Sequence, residues 1–203
     1  MTGVTRVASP FGPVPTRAGW LPLVLMSDAD RLSGDTLLAA IAQLPPGALV
    51  ILRQRGGDWS TRLREAQAVR RACRAQRAML LVAGDARLAR AVGADGVHWP
   101  ERRARLGPAR PWPRALATCA AHGVPGLVAA RRIGADAVLL SPVFATRSHP
   151  GAAPLGIVRW GLARRTGGCV PVLALGGVTC TSAGRLRGLH PDGYAAIDGW
   201  IRS

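Results

Sequence analysis

Short, unbroken apolar runs recur along this chain, separated by longer stretches in which alanine and leucine are interspersed with arginine. The runs are Leu21–Met26, Ala48–Leu52, Ala78–Val82, Asp95–His98, Ala115–Cys119, Ala137–Leu140, Pro171–Leu175 and Tyr194–Ile197. A strand with one wet face alternates apolar and polar residues. A strand covered on both faces is apolar throughout, so these runs predict a parallel sheet buried between layers. The intervening stretches carry helical periodicity. In Ser60–Gln76, Leu63, Ala66, Val69, Ala72 and Cys73 share one face and arginines take the other, with Ser60 as the expected N-cap. Helices are also predicted at Asp35–Gln43, Asp85–Val92, Val124–Ile133, Leu155–Thr166 and Ser182–Leu189. Between Arg102 and Arg114, three prolines and a glycine predict a loop.

A repeat reinforces this rhythm. Gly93-Ala94-Asp95-Gly96-Val97 recurs as Gly134-Ala135-Asp136-Ala137-Val138, with a looser copy at His190-Pro191-Asp192-Gly193-Tyr194. Each copy falls where a helix ends and a strand begins: the glycine permits a left-handed stop, and the aspartate turns the chain into the strand. Eight strand–helix units in 203 residues predict a compact (β/α)8 TIM barrel, an α/β fold, with the last helix truncated or absent. Residues 20–203 are read as one such domain behind a loose Pro/Gly-containing lead-in, 1–19. An open doubly wound sheet is disfavoured, because its glycine fingerprint is missing.

Composition narrows the function. Hydrophobic residues make up 48% of the chain, which excludes disorder. No apolar stretch is long enough to span a membrane, and the N-terminal residues show no signal-peptide core, so a cytoplasmic location is expected. Cys73, Cys119, Cys169 and Cys180 form no CxxC pair and are read as buried free thiols. The net charge is +16, and all 27 basic residues are arginine. Such a charge raises the question of a polyanionic partner. The arginines are scattered over several helices without a continuous block or interleaved aromatics, so no nucleic-acid partner is expected.

Barrel chemistry is carried at the C-terminal ends of the strands, and the residues there form recognisable motifs. They are Leu52-Arg53-Gln54-Arg55 after the second run, GADGVH at Gly93–His98, SPVFATRSHP at Ser141–Pro150 followed by Pro154-Leu155-Gly156, and VLALGGV at Val172–Val178. In this order they resemble the thiamine phosphate synthase/TenI superfamily over about residues 21–200. The resemblance implies a transferase of thiamine biosynthesis that joins a hydroxymethylpyrimidine diphosphate to a thiazole phosphate and releases diphosphate. Its partners would be those two small phosphorylated substrates; association with further copies of the chain is left open.

Residue roles follow from the same resemblance. Arg53 and Arg55 would clasp the diphosphate, Arg55 standing where the family has lysine. Gly176 and Gly177, with Ile197 and Asp198, would hold the thiazole phosphate, since glycine lets backbone N–H groups approach an anion. Thr146, Ser148 and His149 would cover the substrate from the sixth loop, His149 replacing a lysine. His122 is the candidate general acid/base, the role a histidine at this place has in the TenI branch, and His98 is read as a packing and hydrogen-bonding residue. The family's cofactor is Mg2+. Its ligands would be Asp85, preceded here by Gly84 where the family has asparagine, and Glu101, because Arg103 occupies the position of a second aspartate. Two alternative readings share the fold: a TenI-like thiazole tautomerase, and a non-catalytic barrel that binds a phosphorylated ligand.

Overall fold

All eight apolar runs become strands. The computed structural model describes residues 6–7, 14–15, 22–147, 151 and 153–197. Within the lead-in, β1 (Arg6–Val7) and β2 (Val14–Pro15) pair antiparallel. The barrel strands are β3 (Leu23–Met26), β4 (Leu49–Leu52), β5 (Met79–Ala83), β6 (Gly96–Trp99), β7 (Leu116–Ala121), β8 (Ala137–Leu140), β9 (Val172–Ala174) and β10 (Gly193–Ala196). They pair in parallel in chain order, and β10 closes on β3, with Tyr194 opposite Leu23. The fold is therefore the (β/α)8 barrel that the patterning predicts.

The strands are apolar at nearly every position because they are wet on neither face, His98 and Thr118 being buried polar exceptions. Along β3, Val24 and Met26 point into the barrel, where they pack with Leu49, Ile51, Leu81, Leu139 and Leu173. Leu23 and Leu25 point outward and pack under the helices with Val50, Leu52, Leu80 and Val82. Each fully buried leucine contributes about 2 kcal/mol of apolar transfer. Two strands open on glycine for want of space: a Cβ on Gly96 would lie 1.9 Å from the Leu116 carbonyl oxygen, and one on Gly193 would lie 2.1 Å from that of Pro22.

The helices are α1 (Gly34–Ile41), α2 (Trp59–Ala75), α3 (Ala86–Ala91), α4 (Glu101–Arg105), α5 (Val124–Arg132), α6 (Gly156–Arg164) and α7 (Cys180–Ala183). Three details depart from the sequence reading. The N-cap of α2 is Asp58, whose carboxylate accepts from the Thr61 N–H at 2.8 Å; Ser60 sits inside the first turn and donates its hydroxyl to the same carboxylate. A short helix, α4, occupies the start of the expected loop, and the prolines at 108, 111 and 113 prevent it from continuing. The helix predicted at Ser182–Leu189 is a single α turn followed by a 3-10 segment, Gly184–Leu189. Cys73 and Cys119 are buried, which pushes their thiols up to about 12, whereas Cys169 and Cys180 are exposed. The end of the chain beyond Ile197, where the last helix was in question, lies outside the described residues. Among the described residues no helix is long and apolar enough to cross a membrane.

The repeated aspartates do more than turn the chain. Asp95 donates its N–H to the Leu80 carbonyl at 2.8 Å, and its carboxylate accepts the Leu80 N–H at 2.8 Å. Asp136 makes the same reciprocal pair with Ala117, and Asp192 with Val172. Each carboxylate also receives an arginine: Arg70 at 2.6 Å, Arg110 at 2.8 Å and Arg164 at 3.3 Å respectively. These clamps sit at the N-terminal rim, opposite the strand ends expected to carry chemistry.

A second buried polar contact crosses the barrel wall. His98 on β6 is shielded from water, and its Nδ1 lies 2.9 Å from the Thr118 hydroxyl on β7. Burial, with the positive charge of Arg53 adding to it, lowers the imidazole pKa to about 3, so the ring is neutral in the fold.

Three stability predictions follow, two from these contacts and one from an exposed ion pair set against them. Asp95→Ala strands the Leu80 N–H and leaves Arg70, whose Nε is already buried without a partner among the described residues, facing no carboxylate. Urea unfolding is expected to show a loss of about 2–3 kcal/mol. Asp30→Ala, which breaks the exposed pair with Arg55, is expected to cost about 0.5 kcal/mol or less. For His98, the unfolded chain takes up a proton near pH 6.5 that the folded chain refuses until about pH 3. Its contribution is therefore complete above pH 6.5 and is lost on acidification, at up to about 1.4 kcal/mol per pH unit. Unfolding curves between pH 7 and 4 should be steeper in wild type than in His98→Gln; parallel curves would remove His98 as the source.

Candidate active site

The C-terminal ends of the strands enclose a cavity of about 560 Å3, and its lining comes from β3, β4, β7, β8, β9 and β10 and the loops that follow them. Its construction begins at Ser27, just past β3. The Ser27 N–H donates to the Ile51 carbonyl at 2.9 Å. Its hydroxyl accepts from the Arg53 N–H at 2.7 Å and donates to the Arg53 carbonyl at 3.2 Å. The backbone of Arg53 is thus fixed from both sides, which delivers the side chain to the cavity. The guanidinium lies 3.6 Å from the Met26 sulfur, and no carboxylate is within ion-pairing distance of it among the described residues. Burial draws its pKa below the usual arginine value; Asp28 opposes this, while Arg55 and Arg31 add to it.

Asp28 supplies negative charge behind this wall. It is 3% exposed and does not line the cavity. Burial pushes its carboxyl up, but the Asp30 N–H and the Arg31 and Arg53 guanidiniums outweigh that and hold it below the usual carboxylate range. Arg31, paired with Asp28 at 3.5 Å, lines the cavity beside Arg53.

On the opposite side, β9 runs into Leu175-Gly176-Gly177-Val178. Both glycines have positive φ, +93° and +64°. They also pass close under the loop after β8: a Cβ on Gly176 would lie 2.7 Å from the Pro142 Cα, and one on Gly177 would lie 2.5 Å from the Ala145 oxygen. The Val143 and Phe144 N–H groups donate to the Leu175 and Gly176 carbonyls, which ties loop and turn together. Among the described residues the N–H groups of Gly177 and Val178 find no acceptor, and both residues line the cavity. Free N–H groups in a left-handed turn are an anion-binding arrangement.

His122 follows β7. Its N–H donates to the Glu101 carboxylate at 2.7 Å, and its Nδ1 lies 3.0 Å from the Ser141 carbonyl oxygen. A carbonyl only accepts, so its contact calls for a proton on Nδ1, with the Ser141 hydroxyl 3.3 Å from the same nitrogen; in the tautomer with that proton the lone pair is on Nε2.

The structure brings together Arg53, His122, Thr146, Gly176, Gly177 and Ile197 around one cavity, with Arg147 beside Thr146. Ser148, His149 and Asp198 lie outside the described residues. Arg55 stands away from the lining, half-exposed and ion-paired with Asp30 at 2.8 Å. Arg31 escaped the sequence reading because it lies past the strand end, where nothing but its distance from Asp28 marks it. Asp85 and Glu101 are each engaged by other partners. Asp85 caps α3 through the Leu88 N–H at 2.9 Å and pairs with Arg62 at 2.7 Å, while Glu101 holds the His122 N–H. Among the described residues no three His, Cys, Asp or Glu side chains are grouped to hold a metal ion. The donors present therefore do not fit the Mg2+ site that the resemblance implies.

Comparison with known proteins agrees with this architecture. Residues 23–199 match the family model described as thiamine monophosphate synthase. The chain is 34% identical over 175 residues to the thiamine-phosphate synthase of Chromobacterium violaceum, covering 84% of each. It is 31% identical over 191 residues to that of a Synechococcus strain, a longer protein of which the match covers 52%. In three dimensions it is similar to a thiamine phosphate pyrophosphorylase from Pyrococcus furiosus, with a TM-score of 0.70 at 20% identity, covering 87% of this chain and 85% of that one; at that identity the likeness concerns the fold. With the strand order, the strand-end cavity and the glycine turn in place, the chain belongs to the thiamine monophosphate synthase family.

Proposed function

We propose that this chain transfers a hydroxymethylpyrimidine group from its diphosphate onto a thiazole phosphate, releasing diphosphate, and that it does so in the cytoplasm. The observation that carries this reading is the charge of the cavity: Arg31, Arg53 and Arg147 line it, and among the described residues no carboxylate does. When the bond to the leaving diphosphate breaks, the electron pair departs with that group, and negative charge grows there. Cationic side chains already fixed in place stabilise such charge with little reorganisation. Arg53 is held by Ser27 and free of any carboxylate partner among the described residues, which suits it to the leaving group. The Gly177 and Val178 N–H groups, across the cavity, suit the phosphate of the acceptor. Thr146 adds a hydroxyl; Ser148, His149 and Asp198 are further contacts that the family resemblance implies. Arg55, at the rim, would reach a diphosphate only by leaving Asp30.

Incubating the chain with both substrates and assaying for thiamine phosphate tests the proposal. Arg53→Ala is expected to lower kcat/KM roughly 10²-fold or more, with Asp85→Asn close to wild type. A dead Asp85→Asn beside an active Arg53→Ala would reverse the assignment. No product from wild type, with phosphate ligands still binding, would leave a binding barrel in its place.

The His122 geometry favours one second reading, a thiazole tautomerase. The Ser141 carbonyl calls for a proton on Nδ1, and in that tautomer Nε2 is poised to move protons on a ligand in the cavity. His122→Asn is expected to abolish tautomerisation of a thiazole carboxylate phosphate while lowering synthase turnover by less than tenfold. Equal loss of both activities would make His122 part of the transfer site alone.

A further inference from the structure

We infer that the cavity holds a diphosphate-class polyanion on guanidinium groups, Arg31, Arg53 and Arg147, without a divalent cation as intermediary. The inference rests on reading the cavity as the phosphate site and concerns what neutralises the ligand there.

Two independent observations lead to it. The first is how the carboxylates near the strand ends are engaged. The two Asp85 oxygens accept from the Leu88 N–H at 2.9 Å and from Arg62 at 2.7 Å. Glu101 accepts from the His122 N–H through one oxygen at 2.7 Å and faces Arg105 at 3.8 Å with the other. Asp28 is buried between the Asp30 N–H and Arg31. Beside a phosphate ligand Mg2+ takes most of its oxygens from phosphate and water but is anchored to the protein by one or two carboxylates, and recruiting any of these would uncap α3, detach the strand end at His122 or take Asp28 from Arg31.

The second observation is the state of Arg53. Among the described residues no carboxylate is within ion-pairing distance of its guanidinium, which lies 3.6 Å from the Met26 sulfur and feels Asp28 only at longer range, and its backbone is fixed at both polar atoms by Ser27. A cation with no directly paired carboxylate on a fixed support is preorganised for an incoming anion. The planar fork takes two phosphate oxygens at once. Arg31 and Arg147 line the same cavity, so the site presents three positive groups to a ligand whose own charge is concentrated on two adjoining phosphates. A divalent ion entering there meets like charge. Bound to the ligand beforehand, it would weaken the attraction.

The test is calorimetric titration of the full-length chain with inorganic diphosphate, once in EDTA and once in excess Mg2+. Diphosphate is expected to bind in EDTA and no more tightly in Mg2+. Arg53→Gln should weaken it at least tenfold in EDTA, with Arg53→Lys between that variant and wild type. Asp85→Asn and Glu101→Gln should leave affinity and metal response unchanged; circular dichroism verifies that each variant is folded. Binding that requires Mg2+, or that Mg2+ tightens tenfold or more, overturns the inference and leaves the proposed transferase standing. Absence of diphosphate binding under both conditions removes the phosphate-site reading, and the inference with it.

Discussion

An aspartate placed one residue before a buried strand sets a partly exposed charge against the end of the preceding strand, and the way this chain satisfies it organises the barrel. At Asp95, Asp136 and Asp192 the main chain and the carboxylate address the same residue of the preceding strand, one through its carbonyl and the other through its N–H. Register is thereby set at the strand's first residue: a slip by one position would break both bonds and turn the apolar set of that strand the wrong way. An arginine pairs with each of these carboxylates. It also ties an outer element to the rim, α2 through Arg70, the loop after α4 through Arg110 and α6 through Arg164. The other end of the barrel is left to loops.

That division explains which features the sequence discloses. Strands buried on both faces are unbroken apolar runs, so their number and order can be read directly. The Gly-Ala-Asp repeat is visible as a pattern, but its bonding is not, because the partners Leu80, Ala117 and Val172 have no distinguishing side chains. Ser60 and Asp58 are both capping residue types two positions apart. Only the backbone decides between them, and it places Asp58 in the extended conformation before the first turn.

The candidate site was legible where glycine or a strand end marks it and obscure where charge pairing decides. Gly176 and Gly177 announce a tight turn, and the structure adds that side chains there would strike the loop after β8. Among 27 arginines, type alone does not separate Arg53 from Arg55. They are two residues apart on a strand end, one directed into the cavity and the other paired with Asp30 at the rim. The same holds for the carboxylates: Asp85 reads as a ligand candidate in sequence, yet it is a helix cap and an arginine's partner in space. In a chain with 11 acidic residues against 27 basic ones, an acidic side chain near an arginine is readily committed before any metal arrives.

The clamps also divide the barrel into units of assembly. Each joins a strand to its successor: β5 to β6, β7 to β8 and β9 to β10. Among the described residues no such aspartate links β6 to β7 or β8 to β9, whose preceding residues are Ala115 and Pro171. The connection from β6 to β7 contains Gly107, exposed, at positive φ and with open space around it. A chain opened at Gly107 and rejoined elsewhere would keep all three reciprocal pairs, and Arg110 would remain on the fragment that carries Asp136. The barrel is continuous as a sheet but modular as a chain, so its order of connection is open to rearrangement at a place where its order in space is not.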